Sequence, residues 1–174
     1  MDNKSKKILI AYYSRKGQNY VNGQIVDLAV GNTEIAARMI QDITGGDLFE
    51  ICTVKNYPVD YDETTRVAAA EKRSNFRPEL VSHVENMDHY DTIILGYPNW
   101  WSTFPMAVFT FLEEYDFSGK TILPFCTHEG SGLGKSMGDI TRSCPNTIVG
   151  KGLAIQGGKV NYAKEAINSW LNSF

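Results

Sequence analysis

Hydrophobic positions in this chain alternate between continuous runs and helical spacing. Residues 8–13 are apolar at every position, as expected for a strand that is covered on both faces of a parallel sheet. Over residues 35–43 the apolar side chains recur at helical spacing, and two glycines at 45–46 end the pattern. The first unit is therefore predicted to be a strand, a loop and a helix.

The same alternation continues through the rest of the chain. Further strands are predicted at residues 48–54, 92–96, 121–126 and 147–156, the first of them as an edge strand. Further helices are predicted over residues 63–73, from Pro105 through Leu112, from residues 130–134 onward, and after Asn161. This repeated alternation predicts an α/β fold, a doubly wound three-layer α/β/α sandwich with right-handed crossovers.

Two of these strands contain residues that interrupt regular pairing. Pro124 cannot donate a ladder hydrogen bond, so it predicts a bulge or a local break in the fourth strand. Gly150 and Gly152 break the fifth strand.

Composition and charge narrow the class of protein. A length of 174 residues with 43% hydrophobic and 21% charged residues predicts one domain over 1–174. The formal net charge of −3 argues against nucleic acid as a partner. A short polar leader at residues 1–7 and the lack of an apolar run of about 20 residues predict no membrane span and a cytoplasmic location. The three cysteines and three histidines have no ligand spacing, so no metal is predicted.

A ligand site is expected beyond the carboxyl ends of the strands, where strand order reverses in sheets of this kind. The loops concerned are 14–33, 97–104 and 127–132. In the first loop, Gly31 precedes Asn32 and Thr33 at a helix start, and short polar side chains beside glycine at such a start suit a phosphate. The alternative is that Asn32 or Thr33 is simply a helix N-cap.

The second and third loops add an aromatic wall and a polar turn. Trp100 and Trp101 follow Pro98 and Asn99, and a flat ring stacked on an exposed indole gains about 1–3 kcal/mol, by analogy with nucleic-acid bases. Alternatively, one of the indoles packs back on the helix that follows Phe104. A phosphate at one end and a planar ring at the other describe a nucleotide-like cofactor, whose ring edge the backbone of residues 127–132 can hydrogen-bond.

With these segments together, the sequence resembles the flavodoxin-like proteins that bind FMN. The resemblance spans nearly the whole chain and rests on residues 12–14 with 31–33, 96–101 and 127–134. It implies a five-stranded parallel sheet in the order 2-1-3-4-5, with FMN as the cofactor. The residues that the resemblance assigns to FMN are Ser14, Arg15, Asn32, Thr33, Pro98, Asn99, Trp100, Trp101, Thr127, His128, Glu129, Gly130 and Ser131.

The first loop departs from the family pattern, because residues 15–30 separate the matching halves of the phosphate turn. Residues 14–19 are an alternative phosphate loop, but residues 31–33 are preferred because Thr33 adjoins the clear helix. The insertion is open to two interpretations: a lid or subunit contact near the site, or a decorative loop.

Two other uses of such a fold are disfavoured by the residues present. The segment 130–136 looks like a P-loop, but Glu129 occupies the position of its first glycine. Response-regulator receivers need an acidic pair after the first strand and an aspartate after the third, and this chain has Tyr13, Ser14, Pro98 and Asn99 there.

Two redox functions remain, with a flavin-less scaffold as a third possibility. The first is an FMN electron carrier that docks on a redox partner protein. The second is an FMN-dependent oxidoreductase that takes hydride from NAD(P)H and reduces a quinone or similar small acceptor, as a monomer or dimer. A net charge of −3 is small for the docking charge of a carrier. Electron transfer requires no acid–base group, so no catalytic residue is assigned.

Overall fold

The computed structural model describes residues 7–174, and the rest of the predicted polar leader lies outside the described residues. The strands are β1 (Ile8–Tyr12), β2 (Gly17–Val21), β3 (Gln24–Leu28), β4 (Asp47–Glu50), β5 (Thr92–Pro98), β6 (Thr121–His128), β7 (Ile148–Val149) and β8 (Leu153–Gln156). The helices are α1 (Asn32–Thr44), α2 (Tyr61–Ser74), α3 (Met106–Glu114), α4 (Ser136–Ser143) and α5 (Lys164–Leu171), with short 3-10 helices at Met87–His89 and Gly157–Tyr162.

The main sheet has the order β4-β1-β5-β6, with β7 and β8 both along the outer edge of β6. All of its pairings are parallel. Strands β7 and β8 are two parts of the predicted fifth strand, separated at residues 150–152. The predicted α/β class and the flavodoxin-like order 2-1-3-4-5 are confirmed.

The prediction of a bulge or break at Pro124 is wrong, because β6 runs unbroken and pairs with β5 in continuous register. The Ile122 carbonyl accepts from Gly150 N on the outer side of β6 (2.9 Å), and the period of two puts position 124 on that same side. There β7 has ended and β8 has not begun. Pro124 therefore lacks its N–H group at a position where neither β7 nor β8 pairs with β6.

The second predicted strand is shorter than expected but lies at the edge of the sheet, beside β1 alone. After Glu50 the chain leaves the parallel ladder and pairs with residues 79–81 instead. Val54 N donates to Glu79 O, and Val81 N donates to Cys52 O, both at 2.9 Å. Hydrophobic periodicity alone does not distinguish a strand of the parallel sheet from an extended segment that pairs outside it.

Each face of the sheet is covered by helices, which follows from strands that are apolar on both sides. Ile10, Tyr12 and Ile94 pack with the buried residues of α1 and α5. Leu9 and Ala11 point to the opposite face and pack with α3 and α4. None of the helices within residues 7–174 combines the length and the apolar character needed to cross a bilayer.

The insertion forms an antiparallel hairpin of β2 and β3, and we call its residues 17–28 the strap. Its turn is Asn22-Gly23, and both residues have positive φ, 50° and 84°. A two-residue primed turn requires this conformation, and Asn-Gly favours it. The hairpin is therefore encoded locally, and it forms the insertion that separates the two halves of the phosphate turn.

Candidate functional site

The carboxyl ends of β1, β5 and β6 meet at one edge of the sheet, where a cavity of about 110 Å³ lies. Three loops contribute to it, as expected for a ligand site in a doubly wound sheet. The predicted site residues that line this cavity are Arg15, Asn32, Thr33, Pro98, Asn99, Trp100, Thr127, His128 and Glu129.

The two halves of the interrupted phosphate turn are adjacent in space. A Cβ atom on Gly31 would lie 2.2 Å from Ser14 Oγ and 2.6 Å from the Arg15 carbonyl oxygen, so only glycine allows this approach. The Ser14 hydroxyl accepts a hydrogen bond from Glu34 N in the first turn of α1 (3.1 Å). Residues 14–15 and 31–33 therefore form a single turn, with the strap leaving and returning between them.

The start of α1 differs in detail from the N-cap expected from the sequence. The N-cap is Gly31, not Asn32 or Thr33, and a glycine has no side chain that could cap the helix. The hydroxyl of Ser14, which lies outside the helix, accepts from Glu34 N instead. The buried Thr33 hydroxyl lies 2.7 Å from the Thr127 hydroxyl and links α1 to β6. Since Glu34 N donates to Ser14, the donors that remain for an anion are the backbone N–H groups of Asn32 and Thr33, which have no intrahelical acceptor.

Arg15 lies at the cavity wall but is held by backbone carbonyls. Its Nε donates to Gln18 O, and its Nη2 donates to Pro58 O and Val59 O, each at 3.0 Å. The guanidinium thus ties the base of the strap to the loop before α2. Its Nη1 is the nitrogen that makes no hydrogen bond within residues 7–174.

The paired indoles diverge. Trp100 packs edge-on against Tyr13 and Tyr57, with ring centroids 5.3 and 5.2 Å away, and keeps one side toward the cavity. Trp101 is 52% exposed and turns outward on a backbone with φ 54°. Its Nε1 donates to the Thr65 carbonyl on α2 (3.0 Å). Trp101 is therefore an indole that contacts a helix, and that helix is α2.

Asn99 joins the second loop to the third. Its backbone N–H donates to Thr127 O and its side-chain amide donates to Gly132 O, both at 2.8 Å. In the third loop, Gly130 N donates to His128 Nδ1 (2.9 Å). Gly130 and Ser131 are exposed and do not line this cavity.

The carboxylate of Glu129 contacts protein on both oxygens. Oε2 accepts from Asn22 N at the strap turn (3.0 Å), and Oε1 accepts from Gly158 N (2.9 Å). A Cβ on Gly158 would lie 2.2 Å from Asn22 Oδ1, so the contact is close-packed. We call this set, Glu129 with Asn22 and Gly158, the clasp. Glu129 therefore holds the strap, in addition to lining the cavity where the family resemblance assigns it to the FMN ring edge.

Several residues that line the site were not predicted. Asn19, Tyr20, Tyr61 and Gly157 complete the lining of the small cavity. The Tyr20 and Tyr61 rings stack at 6.3 Å with an interplanar angle of 28°. Burial first, and then the nearby Asp62 carboxylate, raise the pKa of Tyr61, so its hydroxyl stays protonated at neutral pH. Asp60 accepts from Glu63 N (2.7 Å), a capping pattern that would have placed the start of α2 at Tyr61.

A second cavity of about 310 Å³ adjoins the first. The two cavities share Arg15, Asn19, Tyr61, Asn99 and Trp100. The additional walls of the second are Trp101 and residues on the first turns of α2. A cofactor-sized ligand requires about 300 Å³ or more, so it would draw on both spaces.

The flavodoxin family model matches residues 7–174, and this chain therefore belongs to the flavodoxin family. No curated protein matches the chain significantly in sequence.

Solved structures agree with this membership. A candidate flavoprotein from Bacteroides eggerthii is 29% identical, with 96% of each chain covered and a TM-score of 0.75. One from Bacteroides uniformis is also 29% identical, covers 97% of this chain and 99% of its own, and has a TM-score of 0.76. The Lactobacillus acidophilus flavoprotein, solved in complex with FMN, is 21% identical over 91% of this chain and 98% of its own, with a TM-score of 0.67.

Proposed function

We propose that this protein binds FMN and uses it for electron transfer. Bound FMN supplies reversible one-electron and two-electron redox chemistry. The observation that carries the proposal is the convergence of the 14–15/31–33 turn, Asn99-Trp100 and residues 127–129 on one cavity at the carboxyl edge of the sheet. Family membership and the FMN complex of the Lactobacillus acidophilus relative support the same cofactor.

The residues at the start of α1 fit a phosphate group. The positive end of the helix dipole and the free N–H groups of the first turn favour an anion there. Gly31 keeps residues 14–15 against this turn, and the hydroxyl pair of Thr33 and Thr127 fixes it to the sheet. We assign the FMN phosphate to this end of the cavity.

The other end fits a planar heterocycle. Trp100 and Tyr61 offer aromatic faces to both cavities, and the backbone around Asn99 is held in place by Thr127 and Gly132. A rigid wall of this kind orients a ring and excludes water from it. The residues bind and position; none is required as an acid or a base.

A second candidate function is an FMN-dependent oxidoreductase that takes hydride from NAD(P)H and passes electrons to a small acceptor. The observation that favours it is the net charge of −3, which is small for the docking surface of an electron carrier. Anaerobic mixing of the holoprotein with NADH or NADPH separates the two. Rapid loss of flavin absorbance indicates the oxidoreductase, and no reduction without a reductase protein indicates the carrier.

The proposal is tested by titrating apoprotein with FMN and, separately, with riboflavin, which lacks the phosphate. We expect purified protein to be yellow and to bind FMN more than about tenfold more tightly than riboflavin, because charge-assisted hydrogen bonds to the phosphate contribute about 1.5–3 kcal/mol. Gly31→Ala should weaken FMN far more than riboflavin, whereas Trp100→Ala should weaken both.

Gly138→Ala is the matched control, since within residues 7–174 a Cβ there would meet only the end of the Arg142 side chain, at 3.3 Å. It should bind both ligands as the parent protein does. Colourless protein that cannot be reconstituted with FMN, or equal affinity for FMN and riboflavin, contradicts the assignment.

A further inference from the structure

We propose that Trp100, Tyr57 and Glu71 form a one-electron relay, which carries an oxidising equivalent from the flavin end of the site to a groove between residues 54–60 and α2. Tyr57 is the terminal electron donor, and the Glu71 carboxylate takes its proton. The inference rests on the proposed FMN function. It goes beyond that function because Tyr57 and Glu71 lie outside both cavities to which FMN is assigned.

Trp100 connects the cavities to two tyrosines behind it. Its indole lines both cavities and packs edge-on against Tyr57 and Tyr13, with ring centroids 5.2 and 5.3 Å away. Edge-to-face contact of this kind is a favourable aromatic arrangement, and an electron passes readily between rings in contact because transfer slows steeply with distance. By distance alone, an indole that has lost an electron regains one equally well from either tyrosine.

The two tyrosines differ in the partner of the hydroxyl. A phenol gives up an electron at moderate potential only if its proton leaves as well, because an oxidised phenol is a very strong acid. Tyr57 donates to Glu71 Oε2 at 2.6 Å, within the short range of charge-assisted O–H···O⁻ bonds. The Tyr13 hydroxyl makes no hydrogen bond to any of residues 7–174. The proton acceptor therefore selects Tyr57 over Tyr13.

Glu71 is placed both to accept that proton and to release it. The carboxylate lines a groove of about 1180 Å³ together with Tyr57. Burial raises the pKa of Glu71, an effect that the Tyr57 hydrogen bond and then Lys55 partly oppose, so the carboxylate is a stronger base than an exposed one. Val54 and Phe76 on the walls of the groove are exposed. The groove is therefore open to solvent, into which the proton can pass.

Other tyrosines lack this combination of contacts. Tyr90 also donates to a carboxylate, Asp47 Oδ2 (2.8 Å), but it precedes β5 and lies at the amino edge of the sheet, opposite the cavities. Tyr61 lines both cavities, but its hydroxyl has no hydrogen-bond acceptor in the described part of the chain. Of the tyrosines within residues 7–174, Tyr57 alone has both the contact with Trp100 and a carboxylate on its hydroxyl.

The proposed step balances in electrons and protons. Under blue light, Trp100 gives one electron to the excited oxidised flavin ring. Tyr57 then gives one electron to the oxidised indole and its proton to Glu71, which leaves a neutral Tyr57 radical beside a protonated carboxyl and restores Trp100. A one-electron reductant of the ascorbate class that reaches the groove restores the phenol, and the proton returns from Glu71.

The test observes the radical itself. FMN-loaded protein is frozen during illumination with blue light, and a tyrosyl radical is sought by electron paramagnetic resonance. A second sample with ring-deuterated tyrosine assigns the signal, because deuteration narrows it. Transient absorption at room temperature measures the rate at which the radical forms. Each variant is first titrated with FMN, so that a missing radical is not confused with a missing cofactor.

The matched pair of variants is Tyr57→Phe and Tyr13→Phe, since each keeps a ring beside Trp100 and loses one hydroxyl. We expect Tyr57→Phe to abolish the tyrosyl signal and Tyr13→Phe to retain it. In the parent protein the radical should form more slowly in deuterium oxide than in water, because the proton moves with the electron. A purely structural Tyr57 would give neither result.

The proton acceptor is tested by Glu71→Gln, which keeps the size of the side chain and an oxygen that accepts from Tyr57 but removes the basic carboxylate. We expect the radical to form at least about 100-fold more slowly, since a positioned proton-transfer group contributes about 10²–10⁴ in rate. Glu79→Gln, which removes another carboxylate of the same groove, is the control and should leave the rate unchanged.

Each failure has a separate meaning. Protein that does not bind FMN in the titration overturns the proposed function and this inference with it. Protein that binds FMN but forms no tyrosyl radical under illumination overturns this inference alone. A signal that survives Tyr57→Phe, that is lost equally in Tyr13→Phe, or that forms at the parent rate in Glu71→Gln also overturns it.

Discussion

The parallel sheet and the strap are both β-structure, yet they are held in opposite ways. Residues 9–12 of β1 and residues 93–97 of β5 are all buried, and helices cover them on both faces. No residue of the strap is buried, and Tyr20 and Ile25 are 44% and 48% exposed. Apolar packing holds the sheet, whereas hydrogen bonds, one aromatic stack and the clasp hold the strap.

This difference separates stability from site architecture. Burial of apolar surface is the main source of folding free energy, so changes in the sheet should affect the whole fold. The strap buries little apolar surface and makes polar contacts that are individually small. Its changes should alter the ligand site while the sheet stays folded.

The largest effect on the free energy of unfolding is expected from adding a side chain at Gly96, in the buried sheet. A Cβ there would lie 2.1 Å from Phe125 Cζ, and that ring is fully buried. We expect Gly96→Ala to lower the free energy of unfolding by at least about 1–3 kcal/mol, the usual cost of overpacking a core. Urea denaturation measures this value. Gly138→Ala in α4 is the matched control and should be neutral or stabilising by up to about 1 kcal/mol.

A smaller effect on stability is expected at alkaline pH, from the buried phenol of Tyr12 in β1 and the buried thiol of Cys144 at the end of α4. Burial first, with the Glu50 carboxylate, raises the pKa of Tyr12 to about 12, and burial raises the pKa of Cys144 to about 11. The unfolded chain loses these protons at lower pH, near 10.0 for the phenol. The contribution of Tyr12 to stability is therefore present below pH 10 and is lost as pH rises through about 12, and that of Cys144 is present below pH 9 and is lost as pH rises through about 11.

Urea denaturation at a series of pH values checks this window. Tyr12→Phe should flatten the fall between pH 10 and pH 12, because it removes one of the groups that titrate there. Tyr162→Phe, at a phenol that is 86% exposed, is the control and should leave the profile unchanged. A stability that is constant to pH 12 contradicts the prediction.

The smallest effect on global stability is expected in the strap turn. Gly23 has φ 84°, and a side chain in a left-handed conformation costs about 1–2 kcal/mol. We expect Gly23→Ala to speed amide hydrogen exchange in residues 17–28 and to leave the exchange of β1 and β5 unchanged. Asn22→Gly, which keeps the turn geometry and loses the packing on Gly158, should have a weaker effect. Uniform acceleration across the chain would mean that the strap and sheet unfold as one unit.

The sequence carried more information about the strap than the pattern of apolar residues revealed. Asn22-Gly23 is a hairpin signal in its own right, but the flanking strands alternate weakly and have no buried face. Asp60 and Glu63 likewise mark the start of α2 two residues before the first predicted helical position. Local turn and capping chemistry would have located Tyr61, whereas hydrophobic periodicity did not.

Hydrophobic periodicity by itself determined the α/β class, the strands of the sheet, the helices that cover it and the three loops at its carboxyl edge. The physical reason is that a strand buried on both faces is a continuous apolar run, a pattern that few other structures explain. Tertiary structure alone decided how the polar side chains are used. Ser14 caps α1, the two indoles diverge, and Glu129 holds the strap, since a hydrogen-bonding side chain takes whichever partner the fold brings within about 3 Å. Such partners lie far apart along the chain and leave no periodic trace in it.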